Sequence, residues 1–251
     1  MRRRFFVSQF NGAAATIEGP AAHHLTRVLR VEPGQLYELS DGRTLCLARV
    51  EAVGRDTVDF AVVEPLASRP PQLDATLLIA VAKFDRFEWA LEKATELGAG
   101  TIVPLAAARS EKALLAAAPK RAARWEKILF ESAQQARCLR PPRLGPLAQP
   151  REAFAADESA IRILLSERAG DPPLKTLLDA HPSRASQAAG AAPGSSPVRI
   201  SLAIGPEGGW TEGEFTAAEG AGFAPASLGS NILRAETAVV AGLAAAHLYF
   251  D

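Results

Sequence analysis

Four apolar runs constrain this chain more than anything else in it: "ATLLIAVA" (75–82), "TIVPLAA" (101–107), "IRILLSE" (161–167) and "VRISLAIG" (198–205). Each suits a strand covered on both faces, and each is far too short to span a bilayer. Between them the periodicity changes. "DRFEWALEKATELGA" reads as a helix that Gly98 ends. "APKRAARWEKILFESAQQA" (118–136) reads as a long amphipathic helix, with Trp125, Ile128 and Leu129 inward and its cations outward. Buried strands alternating with helices predict an α/β fold on a mainly parallel sheet, with ligands at the carboxyl ends of the strands. The stretch 179–197, "DAHPSRASQAAGAAPGSSP", cannot bury enough surface to order itself and predicts a mobile loop.

The first seventy residues follow another grammar. "QLYELSDGRTLCLARVEAVGRDTVDFAVVEP" (35–65) alternates apolar and polar residues, with Asp41-Gly42 and Gly54 at the turns, which predicts hairpins. Before it, "PAAHHLTRVLRVEPG" (20–34) is a helical candidate opened by Pro20 and closed by Pro33-Gly34, with Leu25, Val28 and Leu29 on one face. "ASRPPQ" (67–72) reads as a linker. Two domains are therefore expected, 1–70 and 73–251.

Composition excludes several classes. At 48% hydrophobic and 22% charged, the 251 residues are neither disordered nor membrane-spanning. Arg2, Arg3 and Arg4 precede apolar residues, but the apolar part stops at Val7, so no export signal is expected. Two cysteines and four scattered histidines offer neither a disulfide framework nor a metal spacing. A cytoplasmic protein without structural metal is expected. The 28 basic and 28 acidic residues balance, yet nine cations face three carboxylates between Arg109 and Arg143. That excess reads either as a footprint for phosphates or as a solvated helix face.

The most informative motif is "IGPEGGWTEGEF" (204–215). Thr211 and Glu214 form a capping box, so a helix starts there. Gly205, Gly208 and Gly209 permit positive φ and would let a ligand touch the main chain. Phosphate is the usual ligand of such a turn. Here the P-loop Lys-Ser/Thr and the dinucleotide spacing are both missing, and Glu207, Glu212 and Glu214 would repel it. S-adenosylmethionine, a sulfonium without phosphate, fits better; Glu207 either meets it or holds the loop by accepting backbone N–H groups. An ordinary tight turn is the bland alternative. Downstream, "ETAVVAGLAAAHL" (236–248) is an almost wholly apolar helix that must be buried, which places Arg234 and Glu236 at its mouth. Unpaired charge there is costly, so they pair with each other or meet a substrate.

Taken together, "HHLTRVLRVEPG", "KFDRFEWALEKATELGAGTIVP", "RWEKI", "IGPEGGWTEGE" and "LGSNILRAETA" resemble the RsmE family of 16S ribosomal RNA uridine-N3 methyltransferases, in the SPOUT (trefoil-knot) class. The likeness runs from about Arg2 to Leu248. It implies an N-terminal PUA-like β-barrel for RNA and a C-terminal SPOUT α/β domain whose knotted end binds S-adenosylmethionine, with the active site completed across a homodimer. The implied cofactor site is Leu165, Ser166 and Glu167; Ile204, Gly205, Pro206, Glu207, Gly208 and Gly209; and Leu228, Gly229, Ile232 and Leu233. The implied partner is 16S ribosomal RNA or the small ribosomal subunit. For chemistry at N3, Arg234 would stabilise charge on a uracil carbonyl oxygen. Glu236, in preference to Glu207, would take the proton, unless Glu236 only fixes the Arg234 guanidinium. RNA contacts are expected from Arg2, Arg3, Arg4, Arg27, Arg30, Lys83 and Arg86, and from Arg137 or Arg140, where "QQARCLR" departs from the family's "EQS.R". The rivals are a methyltransferase for a transfer-RNA base or a ribose hydroxyl, and a non-catalytic assembly factor on ribosomal RNA.

Overall fold

The computed structural model describes residues 3–68, 71–181 and 196–250. Arg2 and most of the 179–197 segment lie outside them. The chain divides into two compact units, one of Met1–Pro70 with Glu131–Pro141 and one of Pro71–Phe130 with Pro142–Asp251.

In the first unit, strands β1 (Arg4–Phe6), β2 (Ala14–Glu18), β3 (Leu36–Ser40), β4 (Leu45–Val53) and β5 (Thr57–Pro65) form one sheet in the order β1-β3-β4-β5-β2. All pairs are antiparallel except β1 with β3. The Asp-Gly turn forms as read: the Asp41 carboxylate accepts the N–H groups of Arg43 and Thr44 at 2.9 and 2.7 Å, and Gly42 takes φ +85°. Phe5, Ile17, Leu39, Val50 and Phe60, one from each strand, share a single core, so the sheet curls round it. Bulges in the β4–β5 ladder supply the bend. Because β1 and β2 are its edges, the expected barrel is an open one.

The helical candidate begins as α1 (Gly19–His23) and then widens to a π-turn over His24–Val28. That widening moves Val28 off the face shared by Leu25 and Leu29. Leu25 is buried and Leu29 packs against the core, whereas Val28 is 65% exposed, contrary to the sequence reading. An α-helical phase no longer applies once a turn takes an extra residue. Arg4 is also placed unexpectedly. Its Nε and Nη2 donate to Glu38 at 3.1 and 2.9 Å, and Nη1 donates to the carbonyls of Arg137 and Cys138. With Ser40 donating to the Leu139 carbonyl, this holds the 131–141 segment in the unit.

The second unit is a six-stranded sheet, all parallel, in the order β11-β9-β10-β6-β7-β8. The strands are β6 (Leu73–Ala80), β7 (Ala99–Leu105), β8 (Arg143–Leu144), β9 (Ile161–Leu165), β10 (Val198–Ile204) and β11 (Ala224–Ala226). The helices between and after them are α2 (Phe84–Glu96), α3 (Lys112–Ala117), α4 (Ala122–Gln135, its residues from Glu131 on counted with the first unit), α5 (Pro150–Ala155), α6 (Leu174–Asp179), α7 (Glu212–Gly220) and α8 (Ala235–Phe250). Gly98, at φ +78°, ends α2 as read. Leu77 and Ile79 of β6 enter one core, while Leu78 and Ala80 enter the core on the opposite face with Phe154, Trp210 and Phe223. Coverage on both faces is what makes these strands uninterrupted apolar runs.

From β11, at the sheet's edge, the chain turns back so that α8 packs on β10, β6 and α2. This return crossing lies where the family resemblance puts the knot. The burial of α8 is one-sided. Val239, Leu243 and Ala246 are enclosed, but Leu248 is 89% exposed, so the all-apolar helix is not wholly buried within one chain as expected.

Candidate functional site

Parallel strands bring the loops after β9, β10 and β11 to one end of the sheet, and there they enclose a cavity of about 980 Å³. Leu165, Ser166 and Glu167, the turn from Ile204 to Gly209, and Leu228, Gly229, Ile232 and Leu233 all line it. Segments far apart in sequence thus meet at one cavity. Arg234 lines the same cavity, and its side chain, exposed, has no ion-pair partner among the described residues.

The glycine turn is built differently from its sequence reading. Only Gly209 takes a positive φ, +69°. At Gly205 an added Cβ would stand 3.1 Å from the indole of Trp210, which fills that space from below. Trp210 is 6% exposed, donates to the Leu165 carbonyl at 3.1 Å and packs edge-on against Phe154. At Gly208 the Arg109 side chain lies 3.3 Å from the Cβ position. Two of the three glycines therefore make room for protein, not for a ligand. Gly229 (φ +136°) does face open space, with no atom within 4 Å of its Cβ position.

The three glutamates of the turn also divide. Glu214 is buried: it accepts from Thr211 in the capping box and takes the Ala108 N–H at 2.8 Å. It, and not Glu207, is the carboxylate that holds backbone N–H groups. Glu207 is ion-paired to Arg86, and Glu212 to Arg168, whose guanidinium lies 3.3 Å from the centre of the Phe215 ring. Arg109 donates to the Gly208 and Trp210 carbonyls at 2.7 and 3.2 Å. Each outer glutamate thus has its own arginine, so repulsion by this turn does not exclude phosphate as the sequence reading supposed. Around the whole cavity Arg86, Arg109, Arg168 and Arg234 offset Glu167, Asp171, Glu207 and Glu212.

Arg234, in the loop before α8, and Glu236, in the first turn of α8, form no ion pair, and Glu236 is not among the residues lining the cavity. Glu236 instead lies 4.0 Å from Nε of Arg86. Arg86, expected to touch RNA, is therefore drawn into the cavity wall between two carboxylates. Arg168 was missed altogether, although it directly follows Ser166 and Glu167. Elsewhere, Arg3, Arg27, Arg30, Lys83 and Arg140 are exposed, while Arg137 stands 3.7 Å from Glu38 and, like Arg30, takes a positive φ. The basic region is partly neutralised, because Arg121 and Arg124 both pair with Glu88. Among the described residues no group of three or more His, Cys, Asp or Glu is placed to hold a metal ion, and no helix is long and apolar enough to cross a membrane.

Two family models match the chain, an RNA methyltransferase PUA domain over residues 17–63 and an RNA methyltransferase domain over 69–247. The ribosomal RNA small subunit methyltransferase E of Synechocystis is 34% identical over 92% of this chain and 72% of its own length. That of Bacillus subtilis is 30% identical over 92% and 88%. The crystal structure of the Neisseria gonorrhoeae enzyme bound to S-adenosyl methionine superposes with a TM-score of 0.81 at 28% identity, covering 100% of this chain and 98% of that one. A Legionella pneumophila structure of a putative methyltransferase in complex with the same cofactor gives 0.80 at 25% identity, covering 98% and 96%. With a family model spanning most of its length and relatives at least 30% identical over 92% of it, the chain belongs to the RNA methyltransferase family of the ribosomal RNA small subunit methyltransferases E.

Proposed function

We propose that the protein is an S-adenosylmethionine-dependent methyltransferase acting on N3 of a uridine in 16S ribosomal RNA of the small ribosomal subunit, in the cytoplasm. The observation that carries this is the cavity where three strand-end loops meet, with Arg234 at its rim. Its lining suits the cofactor: Leu165, Leu228 and Leu233 offer apolar surface to adenine, Gly229 leaves main chain accessible, and mixed charges match a zwitterionic amino acid. When bound, S-adenosylmethionine supplies an electrophilic methyl group.

The chain's own residues would manage charge and the proton. N3 of uracil is protonated at neutral pH, and its negative charge on deprotonation spreads onto the flanking carbonyl oxygens. Arg234, without an ion-pair partner, is available to donate to one of them. Glu236, in the first turn of α8, accepts the N3 proton. Because N3 lies on the Watson–Crick edge, the target base must be unpaired to enter. Labelled cofactor incubated with unmodified small subunits should deliver its methyl to uridine, with the label recovered as 3-methyluridine. Label on a ribose, or only on transfer RNA, would point to a sister enzyme. No cofactor binding by calorimetry would leave an RNA-binding relic.

Arg3, Arg27, Arg30, Lys83 and Arg140 are the exposed cations proposed to contact RNA phosphates, whereas Arg4 is committed to Glu38. Replacing Arg27 with Ala should weaken binding and flatten the log K against log salt slope by about 1; an unchanged slope removes it from the interface.

A homodimer completes the proposal. The face of α8 turned from the core carries half-buried Val240, Ala241 and Ala244 and exposed Leu248, with Ile232 (78% exposed) in the preceding loop. Such a face fits a second copy better than water. Sedimentation should show a dimer that Leu248→Glu dissociates.

A further inference from the structure

We infer that Asp171 selects the base of the cofactor: its carboxylate accepts a hydrogen bond from the exocyclic N6 amine of adenine. The inference rests on the proposed use of S-adenosylmethionine. Four carboxylates line the cavity, those of Glu167, Asp171, Glu207 and Glu212. Glu207 and Glu212 are each met by an arginine, and Glu167 is exposed. Asp171 differs from all three. The residue is half-buried, and its Oδ2 is enclosed with no hydrogen-bond partner among the described residues. A buried acceptor left without a donor is costly, and more so on a carboxylate. Such a cost is kept where a binding site is built around a donor that the ligand brings.

The backbone fixes where that acceptor stands. The Asp171 N–H donates to the Arg168 carbonyl at 3.3 Å, which closes a turn, and Pro172 and Pro173 then restrict φ. Ser227, just after β11, donates its N–H to the Pro172 carbonyl at 2.9 Å and accepts from the Leu174 N–H at 2.8 Å. Asp171 is thereby tied beside the strand end that leads into Leu228 and Gly229. Leu228, with Leu165 and Leu233, is the apolar surface offered to adenine. A base whose faces are covered by leucines meets polar groups at its edge, and N6 carries the only N–H donors of adenine in a nucleoside. The two carboxylate oxygens exchange by rotation about Cβ–Cγ, so the acceptor can turn to a donor in the cavity. An ionised carboxylate accepts and cannot donate, so it favours an amine at C6 of the base and opposes a carbonyl there.

Calorimetry with S-adenosylhomocysteine and S-inosylhomocysteine, which carry an amine and a carbonyl at C6 respectively, reads this choice. Wild-type protein should favour the adenosyl ligand by about 100-fold. Asp171→Asn, whose amide both accepts and donates, should bring the ratio close to one, and Asp171→Ala should do the same by removing the acceptor. Each ratio compares two ligands on one protein, so a partly unfolded variant still gives a valid reading. Without ligand, Asp171→Asn should melt no lower than wild type, because no donor loses its acceptor. A purely structural carboxylate would instead lower the melting temperature and leave the ratio alone. A wild-type ratio near one, or a wild-type preference that both variants keep, overturns the inference and leaves the methyltransferase reading standing. Equal weakening of both ligands, the mark of a contact to ribose or to the amino-acid ammonium, does so too. Wild-type protein that binds neither ligand overturns both.

Discussion

Arg234→Ala should lower methyl transfer at saturating cofactor by about 10²–10³-fold, the usual cost of deleting a donor aimed at developing negative charge. Cofactor affinity should stay nearly intact. The expectation follows from its isolation. Arg86, Arg109 and Arg168 are each bound to carboxylates or carbonyls of the glycine turn, and Arg234 has no such partner among the described residues. An exposed guanidinium at the rim of a cavity costs nothing in desolvation until a substrate covers it, and gains most when water is then excluded. Single-turnover kinetics with saturating RNA separate this from weakened binding. A variant that keeps most of its rate would remove Arg234 from the chemistry.

Trp210→Ala should cost about 3–5 kcal/mol of stability, the range for emptying an aromatic site in a core. The indole is enclosed between Gly205, Phe154 and the Leu165 carbonyl, so its removal opens a void directly beneath the cavity floor. It also frees Gly205 from the contact that shapes the turn. Cofactor affinity should therefore fall with stability, unlike the outcome at Arg234. Denaturant titration beside calorimetry checks the pair of effects. Loss of stability with cofactor affinity untouched would mean the turn holds its shape without the ring.

Much of this was legible in the sequence because it is local. Strand runs covered on both faces, the Asp41-Gly42 turn, the stop at Gly98 and the Thr211–Glu214 capping box each depend on residues within a few positions. Of the three cavity segments, the glycine turn was legible from its own residues, and the other two as cofactor contacts only through the family resemblance. What was misread depends on partners distant in sequence. No local pattern shows that Phe154 and the Leu165 carbonyl hold Trp210 against Gly205, or that Glu207 faces Arg86, 121 residues away. The exposure of Val28 has a different origin: a π-turn changes the angular step, and an α-helical template then assigns its face wrongly. Counting charge along the chain misled for the same reason at Arg121 and Arg124, whose shared partner Glu88 lies in another helix.

The clasp of Arg4 on residues 137 and 138 has a consequence for how the protein is made and cut. The N-terminal unit is discontinuous, and its last piece leaves the ribosome some seventy residues after its last strand. A gene fragment stopped at the linker would encode an incomplete module, with a half-buried guanidinium deprived of two acceptors. Expression of that fragment alone should give a less stable product than one supplied with a 131–141 peptide, and domain swaps between homologues should carry that peptide with the N-terminal piece.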